Sequence, residues 1–530
     1  MRRLVALLAT FLILATACGG SDDAAEPAAG GDDDTATDSD AAGDDEPAED
    51  DTDTATDSGD TDDGATGGGS LDEGGGSAED ELADELDLQP CPVGAHVGAD
   101  GPIEIDFWHA YTALTEEAMQ DVAAAFNASQ DQIVVNVEAQ GSYTELLATY
   151  RESISFGSLP DIAVFDTQTL RDVVDSGTIV PAQSCVEADT VGLDHIDETV
   201  RAFFSLDGAL YPSAMNVSVP VLYYNRGHFE AAGLDPDDPP GTLAEIRDAA
   251  QAIKDAGIAE TPLSLLMQGW FIDTWLTGAG VPLVDADNGR AGNATVATFN
   301  GPEALEIYML LDEMNKAGLI VATSNTPGQI GHYLAVASEA ASMVIETSTA
   351  STTVAGVLGG TANLSELTEG ADGITELSLD LDVAPMPGLR EPGKVFISGG
   401  AYFIANTGSD AEQAAAWEFM KFLNNTESQK TIHLKGSYLP IIEEVLNDPD
   451  VQSVWANDAA GQWLATAHAQ LTAIDPDFAG PVIGPFTEQR QIIQDSLEAM
   501  LLGGEDPAAV LAEAEQLVTE ALEQYADQNF

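Results

Sequence analysis

The chain is 530 residues long and carries 92 Asp and Glu against 16 Lys and Arg, a formal net charge of −76. That balance excludes a nucleic-acid binder, because affinity for a phosphate backbone comes from Lys and Arg, and an acidic surface repels it at long range. Hydrophobic residues make up 44% of the chain, enough for sizeable cores, and the length predicts two or more domains of about 100 to 200 residues each.

Residues 1–18, MRRLVALLATFLILATAC, hold two arginines, an apolar run from Leu4 to Ala15 and small residues before a cysteine. The run is short for a bilayer span and reads as a secretory signal. Ala15-Thr16-Ala17-Cys18 is similar to a bacterial lipoprotein processing site, which would make Cys18 the acylated mature N-terminus. The alternative is a plain secretory signal with an incidental cysteine. Between residues 21 and 90 stand 27 Asp and Glu and no Lys or Arg, amid Gly, Ala, Ser, Thr and Pro. Such a segment cannot bury enough apolar surface to offset its ordering entropy. Residues 19–90 are therefore expected to form a disordered acidic tether, with at most a short amphipathic turn near Leu82 to Leu88. Two further cysteines, Cys91 and Cys185, either form a disulfide, which persists in an exported protein and would pin the end of the tether to the loop after Val180, or remain buried thiols.

The body alternates strand and helix. Ile103 to Trp108 reads as a strand, Thr115 to Asn127 as a helix with Ala118, Val122 and Phe126 at helical spacing and Thr115 as N-cap, and Gln132 to Ala139 as a strand again. Leu146 to Ser155 predicts the next helix, and Asp161 to Phe165 a buried strand ending on polar Asp166. This βαβαβ pattern predicts a parallel sheet whose ligands gather at the carboxyl ends of its strands. Trp108-His109, Gln140 to Tyr143 and Asp166-Thr167 all lie at such ends and are expected to converge on one cleft. Asp285-Ala-Asp-Asn-Gly289 opens like a calcium loop, but Val296 stands where the bidentate Glu is required, so a turn is expected.

FWH at 107–109, GSY at 141–143, LPDIAVFD at 159–166, NVSVPVLYYNR at 216–226, AAGLDPDDPPGTLAEI at 231–246, QGW at 268–270, ISGGAYFIA at 397–405 and KGSYLPI at 435–441 form an ordered series. The series resembles the bacterial extracellular solute-binding proteins of ABC importers (family 1), and within them the glycerol-3-phosphate-binding members, over residues 101–525. The resemblance implies an α/β, two-lobed periplasmic-binding-protein fold of type II with three hinge crossings, expected near Asn216, Glu346 and Gly400. One lobe would comprise residues 91–216 and 346–400, the other 217–345 and 401–530. The solute would bind between them and be delivered to permease subunits with their ATPase. The protein would be an extracytoplasmic monomer held to the cell membrane through its lipid, with no catalytic residue, cofactor or metal.

Carried over position by position, the resemblance implies that Tyr143 and Tyr438 contact solute, that the Gly400 amide approaches it, and that Asp166, in place of a longer glutamate, accepts from its hydroxyls. Ser218, Thr347, Ser348, Trp270, Trp108 and His109 complete the implied lining, His109 as a hydrogen-bonded neighbour rather than a metal ligand. Aromatic faces cover C–H surface while carboxylates and hydroxyls satisfy OH groups, which suits a polyol. Two positions depart from the pattern. Val482 falls where the phosphate-gripping arginine is expected, leaving Arg490 or Lys435 to substitute, and Met267 replaces a second wall tryptophan. The departures favour a neutral sugar, polyol or glycerophosphodiester over glycerol 3-phosphate. The rival readings are a secreted hydrolase using paired carboxylates such as Asp166 and Glu346, and a sensory lipoprotein without transport; no GxSxG, HExxH, Walker loop or zinc spacing supports the first.

Overall fold

The computed structural model describes residues 82–326, 331–359, 379–475 and 480–529. The signal, Cys18 and the tether up to residue 81 lie outside the described residues. Among those described, no helix is long and apolar enough to cross a membrane.

The apolar runs become strands Ile103–His109 (β1), Ile133–Ala139 (β2) and Ile162–Asp166 (β3), joined by helices Ala113–Ser129 and Tyr143–Phe156. After Ile179–Val180 (β4) and a hairpin of Ser205–Leu206 (β5) and Ala209–Leu210 (β6) comes Ala214–Ser218 (β7). Then follow Pro220–Asn225 (β8), Leu263–Met267 (β9), Ile320–Ser324 (β10), Met343–Thr347 (β11), Leu381–Pro385 (β12) and Ser398–Ala405 (β13). One sheet has the order β2-β1-β3-β13-β4, with β7 also on β13; the other runs β10-β9-β11-β8-β12. β1 is parallel to β2 and β3, and β9 to β10 and β11. The residues of β8 and β9 are buried throughout, as expected of strands covered on both faces by helices.

The lobes follow sheet membership, and two of the three expected crossings are displaced. The first holds: only Val219 separates β7 of the first sheet from β8 of the second. At Glu346 the chain does not cross. β11 pairs with both β8 and β9, and the helix Ser351–Leu358 after it packs on Ala459–Leu471, which lies against β12. The chain returns to the first sheet between β12 and β13, so Gly400 lies inside a first-lobe strand paired with β3 and β7. Helices Asp410–Leu423 and Thr426–Gly436 then cover the first lobe, against β1 and against Ala113–Ser129 respectively. The third crossing falls within residues 437–448, after which Pro449–Asn457, Ala459–Leu471, Phe486–Leu501 and Pro507–Asn529 complete the second lobe.

Thr115 is not the N-cap. The helix begins at Ala113 behind Thr112, and the Thr115 hydroxyl instead donates to the Gly436 carbonyl at 3.1 Å, tying the two outer helices of the first lobe together. Leu82–Glu85 forms a single helical turn, anchored where the Ala83 amide donates to Glu187 at 3.1 Å.

Cys91 and Cys185 are joined by a disulfide across a sequence separation of 94. It fixes the start of the folded chain to the helix Ala182–Ala188. Closing a loop of that length removes about 4 to 5 kcal/mol of denatured-state entropy in the chain-entropy account. The double variant Cys91→Ser, Cys185→Ser is therefore expected to lose several kcal/mol in denaturant unfolding, with an unchanged far-UV spectrum; equal midpoints would show that the bridge does not constrain the unfolded chain.

Candidate functional site: a tyrosine and arginine cleft between the lobes

On the first lobe, local chemistry sets each side chain. Ser142 and Glu145 form a capping box: Ser142 Oγ accepts from the Glu145 amide at 3.2 Å and Glu145 accepts from the Ser142 amide at 2.8 Å. This pins Tyr143 as the first residue of its helix, beside the end of β2. Asp166 ends β3 in register with Gly400 of β13, and Gly400 is in turn opposite Asn216 of β7.

Tyr111, Tyr143, Tyr402 and Tyr438 meet here. The Tyr143 and Tyr438 hydroxyls are 3.3 Å apart, and Tyr111 donates to Tyr402 at 2.6 Å. Tyr111 lies edge-on to both Tyr143 and Tyr438, with centroids 6.4 and 5.8 Å away. The Asn216 amide donates to the Tyr402 and Tyr111 hydroxyls from beneath. A Cβ on Gly400 would stand 2.8 Å from the Tyr143 hydroxyl and 2.9 Å from that of Tyr111, so only glycine lets the rings close over the strand. Burial pushes the Tyr111, Tyr143 and Tyr402 phenols well above their usual range and Tyr438 up to about 12. All four therefore remain protonated, able both to donate and to accept.

On the second lobe, the carboxyl end of β9 leads into the helix Gly269–Gly278, which carries Trp270 and Asp273. The helix Phe486–Leu501 packs against it so closely that a Cβ on Gly269 would lie 2.9 Å from the Arg490 carbonyl oxygen. Arg490 reaches across to the first lobe, 3.1 Å to Asp166 Oδ2 and 2.9 Å to Gln168 Oε1, with its guanidinium 4.4 Å above the Phe486 ring. Its Nε is 3.9 Å from Asp273 Oδ2, too far for a hydrogen bond, and both atoms are buried without a partner, as is Trp270 Nε1. Asp273 is fully buried, and its other oxygen accepts from Gln489 at 2.8 Å. Burial raises its carboxyl to about 7 against the pull of Arg490.

The structure brings Tyr143, Asp166, Gly400 and Tyr438 together and adds Tyr111, Tyr402, Asn216, Gln168, Asp273 and Arg490. Val482 is packed away from the cleft, its amide donating to Asn288 at 2.9 Å, and the guanidinium comes from Arg490. Lys435 is turned outward to Glu117 and Asp121, at 3.2 and 2.6 Å. His109 lies behind the tyrosines: Nδ1 accepts from the Tyr111 amide at 3.1 Å and the ring stacks on Tyr111, burial lowering its pKa to about 4. Trp108 is half-buried on β1. Ser218 sits at the first crossing, its hydroxyl 3.3 Å from that of Ser398. Ser348 is fully buried and bonded to the Val219 backbone, and Thr347 Oγ1 accepts from the Thr349 amide. Of these, Ser348 ties the second sheet to the crossing, Ser218 joins two strands of the first sheet, and Thr347 caps its own turn. A cavity of about 520 Å³ lies apart from these residues, lined among others by His195, Arg201, Ile397, Pro440 and His468.

Two α/β lobes joined by three crossings, with side chains from both converging at strand ends, define a two-lobed binding-protein fold. Solved structures share it. The cyclic alpha-maltosyl-1,6-maltose binding protein of Arthrobacter globiformis has a TM-score of 0.61 at 22% identity, covering 80% of this chain and 100% of that one. The GacH receptor of Streptomyces glaucescens gives 0.64 at 18%, covering 80% and 99%. UgpB of Mycobacterium tuberculosis, solved with glycerophosphocholine, gives 0.61 at 16%, covering 81% and 100%. The family model for bacterial extracellular solute-binding proteins matches residues 121–459, and the chain belongs to that family. Among its relatives is the sn-glycerol-3-phosphate-binding periplasmic protein UgpB of Pectobacterium atrosepticum, 26% identical over 423 residues that cover 79% of this chain and 90% of the relative. The Escherichia coli K12 protein of the same name is 26% identical over 414 residues, covering 77% and 90%.

Asp273 carries a pH prediction. Its folded-state pKa of about 7 lies above the unfolded value, so between about pH 4 and pH 7 the folded chain holds more protons and stability falls as pH rises. Asp273→Asn keeps an acceptor for Gln489 and does not titrate. Its stability relative to wild type should improve by about 2 to 3 kcal/mol between pH 5 and pH 8, read from denaturant midpoints at both pH values. A difference independent of pH would mean that Asp273 is ionised throughout.

Proposed function

We propose that the chain is the solute-binding lipoprotein of an ABC importer, anchored through Cys18, and that it clasps a small hydroxylated solute between the tyrosine cluster and Arg490. The solute class is a glycerol phosphate, a glycerophosphodiester, a polyol or a sugar. Tyr143 and Tyr438 supply ring surface and hydroxyls, Asp166 accepts from solute OH groups, and the Gly400 backbone forms the floor. Trp270, its Nε1 buried without a partner, donates from the opposite wall.

The observation that carries the reading is Arg490 in the cleft, between the second-lobe helix that bears it and Asp166 and Gln168 of the first lobe. It restores the guanidinium that Val482 lacks and makes an anionic headgroup a fitting solute, through charge-assisted bonds worth about 1.5 to 3 kcal/mol each. Relatives named for sn-glycerol 3-phosphate, and a fold neighbour solved with glycerophosphocholine, support the same class. No bond-making step is proposed. Asp166 is engaged by Arg490, while Glu346 is buried in the second lobe 3.5 Å from His332, so the two carboxylates serve different neighbours.

Titration calorimetry against sn-glycerol 3-phosphate, glycerophosphocholine, maltose and ribitol tests this. At least one should bind, and Arg490→Gln should weaken the phosphate-bearing probes by about 10- to 100-fold while leaving maltose and ribitol within about threefold. Heat from none of the four, or turnover of any of them, would overturn the reading. Equal losses across all four would remove Arg490 as an anion contact.

A further inference from the structure

A buried chain of hydrogen bonds outside the cleft leads to Tyr438. His433, 1% exposed, sits in the last turn of Thr426–Gly436. Its Nδ1 is 2.8 Å from the Tyr438 carbonyl oxygen, and its Nε2 is 2.8 Å from Trp455 Nε1. A carbonyl only accepts and an indole N–H only donates, so the ring is neutral, with its proton on Nδ1. Burial acts in the same direction, lowering the His433 pKa to about 4. Trp455 belongs to the second lobe, on Pro449–Asn457, and its ring lies 5.3 Å from His468 of the adjoining helix.

The residue on the other side of Tyr438 is held in the same way. Ser437 is fully buried and adopts φ +62°, a left-handed conformation costly for a residue with a Cβ. Its hydroxyl accepts from the Thr352 amide at 3.0 Å and lies 2.6 Å from Thr352 Oγ1. Thr352 is on Ser351–Leu358, which packs on Ala459–Leu471 of the second lobe. The main chain at Tyr438 and Leu439 is bonded directly by His433 and by Val217 of the first lobe, and His433 and Ser437 are bonded in turn by Trp455 and Thr352 of the second.

We infer that Trp455, acting through His433, and Thr352, acting through Ser437, are positioning residues that couple lobe closure to the placement of the Tyr438 ring against the solute. This rests on Tyr438 being a solute contact. When the lobes part, Trp455 and Thr352 move with the second lobe, and His433 and Ser437, which flank Tyr438 along the main chain, lose the bonds that hold them. When they close, the tyrosine is delivered in register with Tyr143. The site is then complete only in the closed form, which gives a solute the differential affinity for that form that closure requires.

Trp455→Phe removes one N–H and keeps a ring; His433→Gln keeps an acceptor for Trp455 and loses the donor to Tyr438; His433→Asn keeps that donor. The probe is whichever of sn-glycerol 3-phosphate, glycerophosphocholine, maltose and ribitol binds wild type most tightly. Trp455→Phe and His433→Gln should each raise Kd about three- to tenfold, and His433→Asn, which keeps the donor to Tyr438 but gives up the bond to Trp455, should lose as much as Trp455→Phe. In a Tyr438→Ala background the Trp455→Phe effect should fall below about twofold, because the ring and hydroxyl it positions are gone. Hydrogen exchange reads the same coupling without solute: the Leu439 amide, which donates to Val217 at 2.8 Å, should exchange at least about tenfold faster in Trp455→Phe, with Asp410–Leu423 unchanged. Unchanged affinity or exchange in Trp455→Phe, or an equal loss in both backgrounds, overturns the relay alone. A Tyr438→Ala protein that binds like wild type, or a wild type that binds none of the probes, overturns the solute reading and the relay with it. If His433→Gln fails to fold, Trp455→Phe carries the test.

Discussion

At the strand ends where the two halves of this molecule face each other, Arg490 of one bonds the Asp166–Gln168 turn of the other. Asp166 stands at the carboxyl end of β3 and Arg490 on a helix that packs over the start of Gly269–Gly278, so the ion pair joins the strand ends of one sheet to those of the other. Both side chains keep about a fifth of their surface exposed, 22% and 23%, and a pair in that setting contributes little stability of its own. Its consequence is alignment. Arg490 has oxygen neighbours on both lobes, and a solute oxygen entering between them exchanges with partners already in place. Dehydrating the guanidinium costs less when Gln168 and Phe486 already cover it.

The tyrosine cluster depends on an equally local constraint. Four phenols and one carboxamide share a space floored by Gly400, where a methyl group would collide with two hydroxyls. Asn216 spends its amide hydrogens on Tyr402 and Tyr111, the two rings at the back. Tyr143 and Tyr438 bond to one another across 3.3 Å, a long bond that leaves both hydroxyls able to turn toward a solute. Under the proposed reading, the inner pair holds position while the outer pair meets the solute. Rigid support behind adaptable donors limits the ordering cost of binding a small polar molecule.

Much of this was legible in the chain itself. LPDIAVFD reads as a buried strand ending on a carboxylate, and β3 ends on Asp166; the alternation of strands and helices accounts for the parallel run β2-β1-β3, but the expected all-parallel sheet is mixed, because β13 enters it antiparallel to β3, β4 and β7. The helix expected from Leu146 begins three residues earlier, at Tyr143, because the Ser142 and Glu145 capping box starts it ahead of the apolar periodicity. What escaped depends on tertiary pairing. Tyr111, Tyr402 and Asn216 come from three separate segments, and nothing local to any of them points to the others. By sequence Arg490 and Lys435 are both candidates to replace the missing arginine, and only the packing of the Arg490 helix on Gly269, with Lys435 bonded to Glu117 and Asp121, decides between them. The second and third crossings were misplaced because β11 and β13 are both short apolar strands, and sheet membership is fixed by partners more than 100 residues away rather than by composition.

The charge of the chain sets the last condition on how such a site works. A body so rich in acid repels an anionic solute, but at physiological ionic strength that repulsion is screened beyond about 8 Å. Capture as proposed therefore rests on groups at contact range, and Arg490 stands close to both Asp166 and Asp273. A phosphate entering here gains the guanidinium only by standing near at least one carboxylate. A proton on Asp273, whose carboxyl burial lifts to about 7, relieves part of that repulsion. The same side chain that weakens the fold when ionised would then adjust the charge offered to a solute, and a monoanionic headgroup with free hydroxyls for Asp166 suits this balance better than a compact dianion.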